Sequence, residues 1–342
     1  MGETVMKMDK YNRQILFPFI GESGQNKLTK STVLVVGVGA LGTVICNQLV
    51  RAGVGNIIIV DRDYVEITNL QRQILFDEID VKNSLPKAIA ARNKLKQINR
   101  DVSIEAFVTN VTNDNIIQFI KNVDVVLDGT DNFSTRYLLN DICFKEKIPF
   151  SYGGVVGSRG MTAFLIPGET PCLRCLTKNN NVGGQTCDTV GVISPAVDIV
   201  SSMQVTETLK YLTDNKQHLR HTMYTFDLWL NQSLNIKLKK NLSKDCPTCG
   251  THIFPSLQQK IEENEITLCG RNTVQVHICN EMNLSLMEKK LEKVATIQRT
   301  PFLLKARIDN IQFVIFPDGR VLIQGTEDRI VARTMYDRYI GS

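Results

Sequence analysis

Two cysteine pairs, Cys172/Cys175 and Cys246/Cys249, are the residues whose type and spacing most directly indicate chemistry in this chain. Four thiolates in two Cys-x-x-Cys pairs match the ligand set of a closed, tetrahedral zinc site. Such a site leaves no position for a substrate water, so we predict a structural zinc that clamps two distant loops. The alternative is redox-active thiols, but neither pair begins a helix of a thioredoxin-like unit.

A glycine-rich turn, Gly37-Val-Gly39-Ala40-Leu-Gly42, follows a short β-branched run and precedes a segment with helical apolar spacing. A turn of this kind lets the backbone approach a phosphate, and the helix N-terminus supplies oriented N–H groups. Asp61 ends the next predicted strand, where a carboxylate accepts hydrogen bonds from ribose hydroxyls. The pattern indicates a nucleotide site; the alternative is a turn that serves only tight packing.

Further polar residues follow the other predicted strands. Asn69 and Arg72 lie just beyond the second strand, Lys87 opens the next helix, and Asp131 follows the strand at 123–128. Loops at the carboxyl ends of parallel strands form the ligand-binding edge of such sheets. Two cations that neutralise phosphate charge and an acid that holds Mg²⁺ suit a nucleoside triphosphate better than nicotinamide. Taken singly, each residue could equally be a solvated surface charge.

Strands and helices alternate in the first half of the chain. Strands are predicted at 32–37, 56–61, 102–108 and 123–128, and helices at 41–52, 86–99 and 114–121. This alternation predicts an α/β fold with a Rossmann-like, doubly wound and mainly parallel sheet. Strands at 149–154, 161–166, 222–226 and 233–237, with one helix at 195–212, predict an antiparallel extension of that sheet.

A break after Gly250 divides the chain into two predicted domains, 1–250 and 251–342. The second is predicted to have strands at 273–278, 302–308, 311–316 and 320–324, helices at 284–294 and 327–339, and a hairpin turn at Pro317-Asp-Gly319. We interpret it as a small α+β module that serves as a docking or dimer element, because its Cys269-Gly-Arg-Asn segment lacks the arrangement of a sulfurtransferase loop.

The composition is that of an ordinary globular protein. The chain has 342 residues, of which 43% are hydrophobic and 22% charged, and its net charge is +5. The basic residues are spread along the chain rather than gathered in runs, which argues against a nucleic-acid partner. No segment approaches the ~20 apolar residues that span a bilayer, and the amino terminus lacks a signal-peptide core, so we expect no membrane contact and a cytoplasmic location.

The chain has nine cysteines, an odd number. In a reducing compartment, the two Cys-x-x-Cys pairs indicate metal binding rather than disulfides. Four of the remaining cysteines lie in apolar or strand-like surroundings and are predicted to be inert packing residues: Cys46, Cys143, Cys269 and Cys279.

The motifs, in order, resemble those of one enzyme family. They are Tyr11-Asn-Arg-Gln14, Gly37-x-Gly-x-x-Gly42, Asn69-Leu-Gln-Arg-Gln73, Pro86-Lys87, Asp128-Gly-Thr-Asp-Asn132, Pro171-Cys-x-x-Cys175 and Cys246-Pro-x-Cys249. Residues 9–250 resemble the ThiF/MoeB (HesA) adenylyltransferases, relatives of ubiquitin-activating enzymes. The resemblance implies ATP-dependent adenylylation of the C-terminal glycine of a ubiquitin-like sulfur-carrier protein ending in Gly-Gly, either MoaD-like or ThiS-like, with release of pyrophosphate. The pathway would be molybdopterin (molybdenum cofactor) or thiamine biosynthesis.

The resemblance also implies roles for individual residues. Arg13 would reach the ATP site of a neighbouring subunit in a homodimer, Asp61 would bind ribose, and Asp131 would ligate Mg²⁺. The other residues implied in ATP binding are Gly37, Gly39, Ala40, Gly42, Thr68, Asn69, Leu70, Gln71, Arg72, Lys87 and Asn132. Ala40 stands where many members carry glycine, which leaves less room beside the nucleotide.

A further cysteine, Cys187, lies in the polar, glycine-bearing segment Gly183–Gly191, where a buried packing residue is not expected. Its position resembles that of the family cysteine that bonds to the activated carrier as a thioester or acyl disulfide. A cysteine desulfurase or another sulfur donor would then be a partner. The alternative is an incidental thiol.

Two other functions are consistent with parts of the pattern. An NAD-dependent oxidoreductase requires a catalytic His, Lys or Tyr near the cofactor, and none is evident among the four histidines, His218, His221, His252 and His277. An inactive scaffold of the same fold is expected to have lost at least one of Arg13, Arg72, Lys87 and Asp131, and all four are present.

Overall fold

The computed structural model describes residues 9–177, 190–238, 244–258, 265–268, 272–277 and 281–341. Cys187, Cys269 and Cys279 lie outside these ranges. The chain divides into two compact units, one comprising Met1–Val81 and Pro86–Gln259 and the other Lys82–Leu85 and Lys260–Ser342.

An eight-stranded sheet forms the centre of the first unit. Its strands are β1 (Thr32–Val36), β2 (Asn56–Asp61), β3 (Ser103–Val108), β4 (Val125–Asp128), β5 (Phe150–Val156), β6 (Arg159–Leu165), β7 (Thr222–Asp227) and β8 (Gln232–Lys237). Their order is β3-β2-β1-β4-β5-β6-β7-β8, with parallel pairing from β3 to β5 and antiparallel pairing from β5 to β8. The predicted α/β class, mainly parallel sheet and antiparallel extension are confirmed.

The central strands are buried on both faces, as their continuous apolar sequence predicts. Val33, Leu34, Val35 and Val36 of β1 are all buried, and every residue of β4 is buried as well. In the described part of this unit, the helices are α1 (Asn12–Ile15), α2 (Gly21–Leu28), α3 (Ala40–Ala52), α4 (Glu78–Lys82), α5 (Lys87–Ile98), α6 (Ile116–Ile120), α7 (Phe133–Glu146), α8 (Leu173–Thr177), α9 (Ser194–Leu212) and α10 (Pro255–Gln258).

Helix α7 is not predicted from the sequence pattern. It is buried around most of its circumference, and its buried residues include Arg136, Asn140 and Asp141 as well as Leu139 and Ile142. A helix that buries polar and apolar residues on all sides has no amphipathic stripe, which is the signal that pattern reading uses.

Two turns meet where the strand order reverses, between β1 and β4. Gly37, in the turn after β1, has φ +84°, and a Cβ on it would lie 2.8 Å from the carbonyl carbon and oxygen of Gly129 in the turn after β4. A Cβ on Gly42 would lie 1.9 Å from the carbonyl oxygen of Gly37, and one on Gly129 would lie 2.2 Å from the same atom. The glycines are therefore required by backbone packing, whatever else they do.

The described residues of the second unit form a six-stranded antiparallel sheet and two helices. Its strands are β9 (Glu265–Leu268), β10 (Thr273–His277), β11 (Thr296–Arg299), β12 (Leu304–Ile308), β13 (Ile311–Ile315) and β14 (Arg320–Gln324), in the order β11-β12-β13-β14-β10-β9. Helices α11 (Leu284–Leu291) and α12 (Arg329–Tyr339) contribute Leu284, Leu291, Ala332 and Tyr336 to a core that covers one face of the sheet.

Among the described residues of both units, no helix combines the length and apolar character needed to cross a bilayer.

The glycine contact gives a direct test of this packing. We expect Gly129→Ala to lower the free energy of unfolding by about 1–3 kcal/mol, because the added methyl group overpacks a backbone contact. Urea denaturation measures the change. Gly39→Ala is the matched control: the nearest atom to its added Cβ is 3.7 Å away, so its effect should stay within about 0.5 kcal/mol. Equal stabilities of the two variants would contradict this account.

Candidate functional site

Asp61, at the end of β2, connects its own loop to the glycine turn. Its Oδ2 accepts a hydrogen bond from the Val38 N–H at 2.6 Å, and its Oδ1 accepts one from the Asp63 N–H at 2.7 Å. Burial raises the pKa of the Asp61 carboxyl above its usual range, while the positive charge of Lys87 opposes the rise. The predicted ribose acceptor is thus held rigidly beside the glycine turn.

Lys87, the first residue of α5, is buried to 4% exposure, which is rare for lysine. Its Nζ lies 3.3 Å from Asp63 Oδ2, and its backbone N–H donates to the Asp63 carbonyl oxygen at 2.9 Å. The start of α5 is therefore fixed to the loop after β2, and a buried positive charge lies close to Asp61. Sequence reasoning identified Lys87 but missed Asp63, whose role depends on the contact between two loops.

The loop between β2 and α4 contains most of the remaining predicted residues. Asn69 is buried, its Oδ1 accepts from the Glu66 N–H at 3.0 Å, and its carbonyl oxygen accepts from the Arg72 N–H at 3.1 Å. Arg72 is half-buried and donates from Nη1 to the Thr68 carbonyl oxygen at 2.9 Å. Thr68 and Gln71 are exposed and Leu70 is half-buried. These hydrogen bonds within the loop fix its backbone conformation and the position of the Arg72 side chain.

Gln73 lies in the same loop, at the end of the Asn69–Gln73 motif, and was not among the predicted site residues. It is buried to 3% exposure, and its Oε1 has no hydrogen-bond partner among the described atoms. Its Nε2 lies 3.7 Å from the position that a Cβ on Gly39 would occupy. A buried amide beside the glycine turn with an unused acceptor suits a polar ligand at that place. The repeated Gln of the Asn69–Gln73 motif was the signal that could have identified it.

The turn after β4 is held by a buried ion pair. Arg136 Nε lies 2.9 Å from Asp128 Oδ2, and Arg136 Nη2 donates to the carbonyl oxygens of Thr130 at 2.7 Å and Gly153 at 3.1 Å. Thr130 donates its N–H and Oγ1–H to Asp128 Oδ1. Burial raises the pKa of Asp128, and the charge of Arg136 opposes that rise. The pair fixes the backbone immediately before Asp131.

Asp131 and Asn132 lie between this turn and α7. Asp131 is exposed, which suits a carboxylate that binds a hydrated divalent cation. Asn132 caps α7 by accepting the Thr135 N–H at 2.9 Å, and its Nδ2 donates weakly to Asp131 Oδ1 at 3.4 Å. The cap therefore fixes the backbone next to Asp131, from which its carboxylate extends.

The other predicted residues are less constrained. Ala40 and Gly39 are half-buried at the start of α3, so the first turn of that helix remains accessible to a phosphate. Arg13 is exposed in α1, and its side chain has no hydrogen bond or ion pair with any of the residues that the structure describes.

The four histidines belong to other segments of the chain than these loops. His218 is in a 3₁₀ turn and contacts the Phe19 ring, His221 precedes β7, His252 follows the second cysteine pair, and His277 is in β10. None of the four is part of the glycine turn or of the loops after β2 and β4.

A second candidate site is formed by the cysteines. The Sγ atoms of Cys172, Cys175, Cys246 and Cys249 all lie within 4.8 Å of one another. The Cys172–Cys246, Cys175–Cys249 and Cys172–Cys175 sulfur pairs are separated by 3.5, 3.4 and 3.9 Å. Tetrahedral zinc with Zn–S bonds of about 2.3 Å places its sulfurs roughly 3.8 Å apart. The four thiols fit such an ion.

The thiols influence one another's ionisation. Burial, reinforced by the neighbouring thiols, raises the pKa of Cys175 to about 12, whereas contact with the Cys172 thiol lowers the pKa of Cys249 to about 5. Four thiolates packed this closely repel one another, so a divalent cation is needed to stabilise them together.

Comparisons with known proteins agree with this geometry. Residues 11–248 match the ThiF family. The chain is 44% identical over 335 residues to the sulfur carrier protein ThiS adenylyltransferase of Bacillus subtilis (strain 168), covering 97% of this chain and 99% of that protein. It is 35% identical over 242 residues to the Escherichia coli (strain K12) protein of the same name, covering 70% of this chain and 94% of the relative.

A solved structure of E. coli MccB with MccA-N7isoASN superposes with a TM-score of 0.62 at 21% identity, over 70% of this chain and 75% of that chain. At this identity the likeness establishes the shared fold.

The cysteine cluster predicts bound zinc. We expect the purified protein to hold about one equivalent of zinc per chain, and Cys249→Ser to lose most of it, because three thiolates no longer close the tetrahedron. Elemental analysis after dialysis against a weak chelator measures the content. Cys46→Ala removes a buried thiol outside the cluster and should retain the full amount. Wild-type protein well below one equivalent would refute the site.

Proposed function

Because the chain belongs to the ThiF family, we propose that it adenylylates the C-terminal glycine of a small ubiquitin-like sulfur-carrier protein, with ATP as the donor and pyrophosphate as the leaving group. The observation that carries this proposal is the match along nearly the whole chain to a ThiS adenylyltransferase. The charged residues around the strand-order reversal provide the chemistry that such a transfer needs.

The reaction joins two negatively charged groups. A carboxylate oxygen of the carrier attacks the α-phosphorus of ATP, a P–O bond forms, and the bond to the β-phosphate oxygen breaks, so that pyrophosphate leaves with its electron pair. No proton has to be removed from the attacking carboxylate at neutral pH, so the protein's task is charge neutralisation and alignment rather than general base catalysis.

Different residues of the site are proposed to align the nucleotide and to neutralise its phosphate charge. Asp61, fixed between the Val38 and Asp63 amides, accepts the ribose hydroxyls, and the first turn of α3 receives phosphate. Asn69, Arg72 and Lys87 contact the phosphates. Lys87 fits this role especially well, because its burial and its ion pair with Asp63 hold its positive charge in a fixed place.

Asp131 completes the set as the proposed ligand of Mg²⁺. When bound, that ion would neutralise phosphate charge and help pyrophosphate to depart. Asp131 follows the rigid Asp128–Arg136 turn, which would hold its carboxylate at a constant position above β4.

A homodimer is part of the proposal. Arg13 is exposed in α1, which leaves its guanidinium available to another chain. We assign it to the nucleotide site of a partner subunit, where it would neutralise further phosphate charge.

The carrier is proposed to be ThiS-like, which places the enzyme in thiamine biosynthesis, because the relative matched over nearly the full chain acts on ThiS by its name. A MoaD-like carrier of molybdopterin synthesis is the alternative. The use of ATP and the requirement for reduced zinc ligands favour a cytoplasmic location. ATP–pyrophosphate exchange with each carrier, and with a carrier lacking its last glycine, distinguishes these cases.

The metal-binding acid provides the first test of the mechanism. We expect Asp131→Ala to reduce carrier-dependent ATP–pyrophosphate exchange by at least about 100-fold, because the ion that neutralises phosphate charge loses its ligand. Circular dichroism should show an unchanged fold, since Asp131 is exposed. Asp114→Ala, which removes another exposed acid, should keep wild-type exchange. Exchange retained in Asp131→Ala would overturn the assigned role.

Cys187 lies outside the described residues, and we propose that its thiol attacks the carbonyl carbon of the carrier acyl-adenylate, so that a thioester forms and AMP leaves. A cysteine desulfurase or another donor is the proposed source of the sulfur that the carrier finally receives. Cys187→Ser is expected to form the acyl-adenylate normally and to lose the covalent adduct. Intact-protein mass spectrometry with ATP and carrier detects both species. An adduct that persists in Cys187→Ser would show that the thiol is incidental.

A further inference from the structure

We propose that Asp141 is a positioning residue that ties the cysteine cluster, through helix α7, to the turn that carries Asp131. The inference rests on the proposed function for the role of Asp131, but its structural part does not depend on it. The observation behind it is that both cysteine pairs and the turn after β4 are bonded to one buried stretch of α7.

The Asp141 carboxylate is fully buried and bonded on both oxygens. Arg174, between Cys172 and Cys175, donates to it from two nitrogens, Nε to Oδ1 at 2.9 Å and Nη2 to Oδ2 at 2.8 Å. Thr248, between Cys246 and Cys249, donates Oγ1–H to Oδ1 at 2.7 Å. One carboxylate therefore receives a donor from inside each Cys-x-x-Cys pair.

Three neighbouring contacts strengthen this connection. The Ser256 N–H donates to Asp141 Oδ2 at 2.9 Å, and Arg174 Nη2 donates to Ser256 Oγ at 2.6 Å, which adds α10 to the same cluster. Asn140 is also fully buried, and its Oδ1 accepts the Leu173 N–H at 2.8 Å. The first cysteine pair is thus held to α7 through two consecutive residues, and the second through Thr248.

The other end of this stretch holds the turn before Asp131. Arg136 forms an ion pair with Asp128, and its Nη2 donates to the Thr130 carbonyl oxygen. Arg136 and Asp141 are five residues apart, a rise of about 7.5 Å along the helix axis. Arg136 and Asn140, four residues apart, lie on the same face of the helix.

The buried ion pairs at the two ends of this stretch make movement of α7 energetically costly. A buried carboxylate is stable only while its donors stay in place, and removal of one partner from a buried pair is strongly destabilising because it leaves an uncompensated charge. Asp128 and Asp141 are both buried carboxylates whose cationic partners are Arg136 and Arg174. A shift of α7 along its axis would break contacts at both ends, so a metal that fixes the two cysteine pairs also fixes the backbone ahead of Asp131.

Asp141→Asn provides the test, because it keeps the shape of the side chain and removes its charge. We expect zinc release to a colorimetric chelator to be about 10–100-fold faster than in the wild type, as for other partners that orient metal ligands. We also expect faster amide hydrogen exchange at residues 129–132, with unchanged exchange in β1. Neither measurement requires activity.

Glu207→Gln is the matched control. Glu207 is a buried carboxylate of α9 that pairs with Lys210 and accepts the Arg220 N–H, and it has no contact with α7 among the described bonds. It should leave zinc release and exchange at 129–132 unchanged. Thr248→Val removes a single donor to Asp141 and should change both measurements in the same direction by a smaller factor, so a folding defect in Asp141→Asn would not prevent the test.

The catalytic consequence is a weaker response to Mg²⁺. In Asp141→Asn loaded with zinc, the Mg²⁺ concentration for half-maximal pyrophosphate exchange should rise several-fold, with a smaller change in the rate at saturation. Faster zinc release without any change at residues 129–132 would overturn the coupling through α7, and unchanged zinc release would overturn the role of Asp141. If the wild type shows no exchange with any carrier, the proposed function fails, while the zinc and hydrogen-exchange results still decide this inference.

Discussion

The backbone contact between the turns after β1 and β4 is the constraint on which the rest of the first unit depends. Carbonyl and Cα atoms approach so closely there that three positions exclude any side chain, Gly37, Gly42 and Gly129. This contact draws together two loops that would otherwise diverge at the reversal of strand order. Asp61 reinforces one of these loops and Asp128 the other, so the charged residues are attached to a backbone that has little freedom to move.

The site concentrates charge in a region from which water is largely excluded. Lys87 and Asp61 are buried, and Asp63 compensates the lysine from the same loop that Asp61 anchors. Charges held by protein groups need little reorganisation when a phosphate arrives, which is the property that transfer between two anions requires. The more exposed members, Arg72 and Asp131, lie at the surface, where the proposed function requires a nucleotide and a hydrated ion to enter.

Sequence reasoning succeeded where local signals are strong and failed where burial replaces them. The glycine turn, the strand Asn56–Asp61 and the helix beginning at Lys87 have clear β-branched or capping signals, and the structure has them at nearly the predicted bounds. Helix α7 buries Arg136 and Asp141 together with its apolar residues, so its sequence lacks the apolar stripe of helical period that predicts a helix. Asp63 and Gln73 escaped prediction because their roles arise from contacts between loops rather than from residue spacing.

The position of the second cysteine pair has a consequence for biosynthesis. Cys246, Thr248 and Cys249 lie more than a hundred residues after Asp141, so α7 leaves the ribosome before Thr248, one of the donors to its buried carboxylate, has been made. The strands of the antiparallel extension are translated in that interval and can pair first. Closure of the cysteine cluster on the predicted zinc ion is then a late event in the folding of the first unit, and zinc starvation is expected to arrest folding at that stage rather than at its beginning.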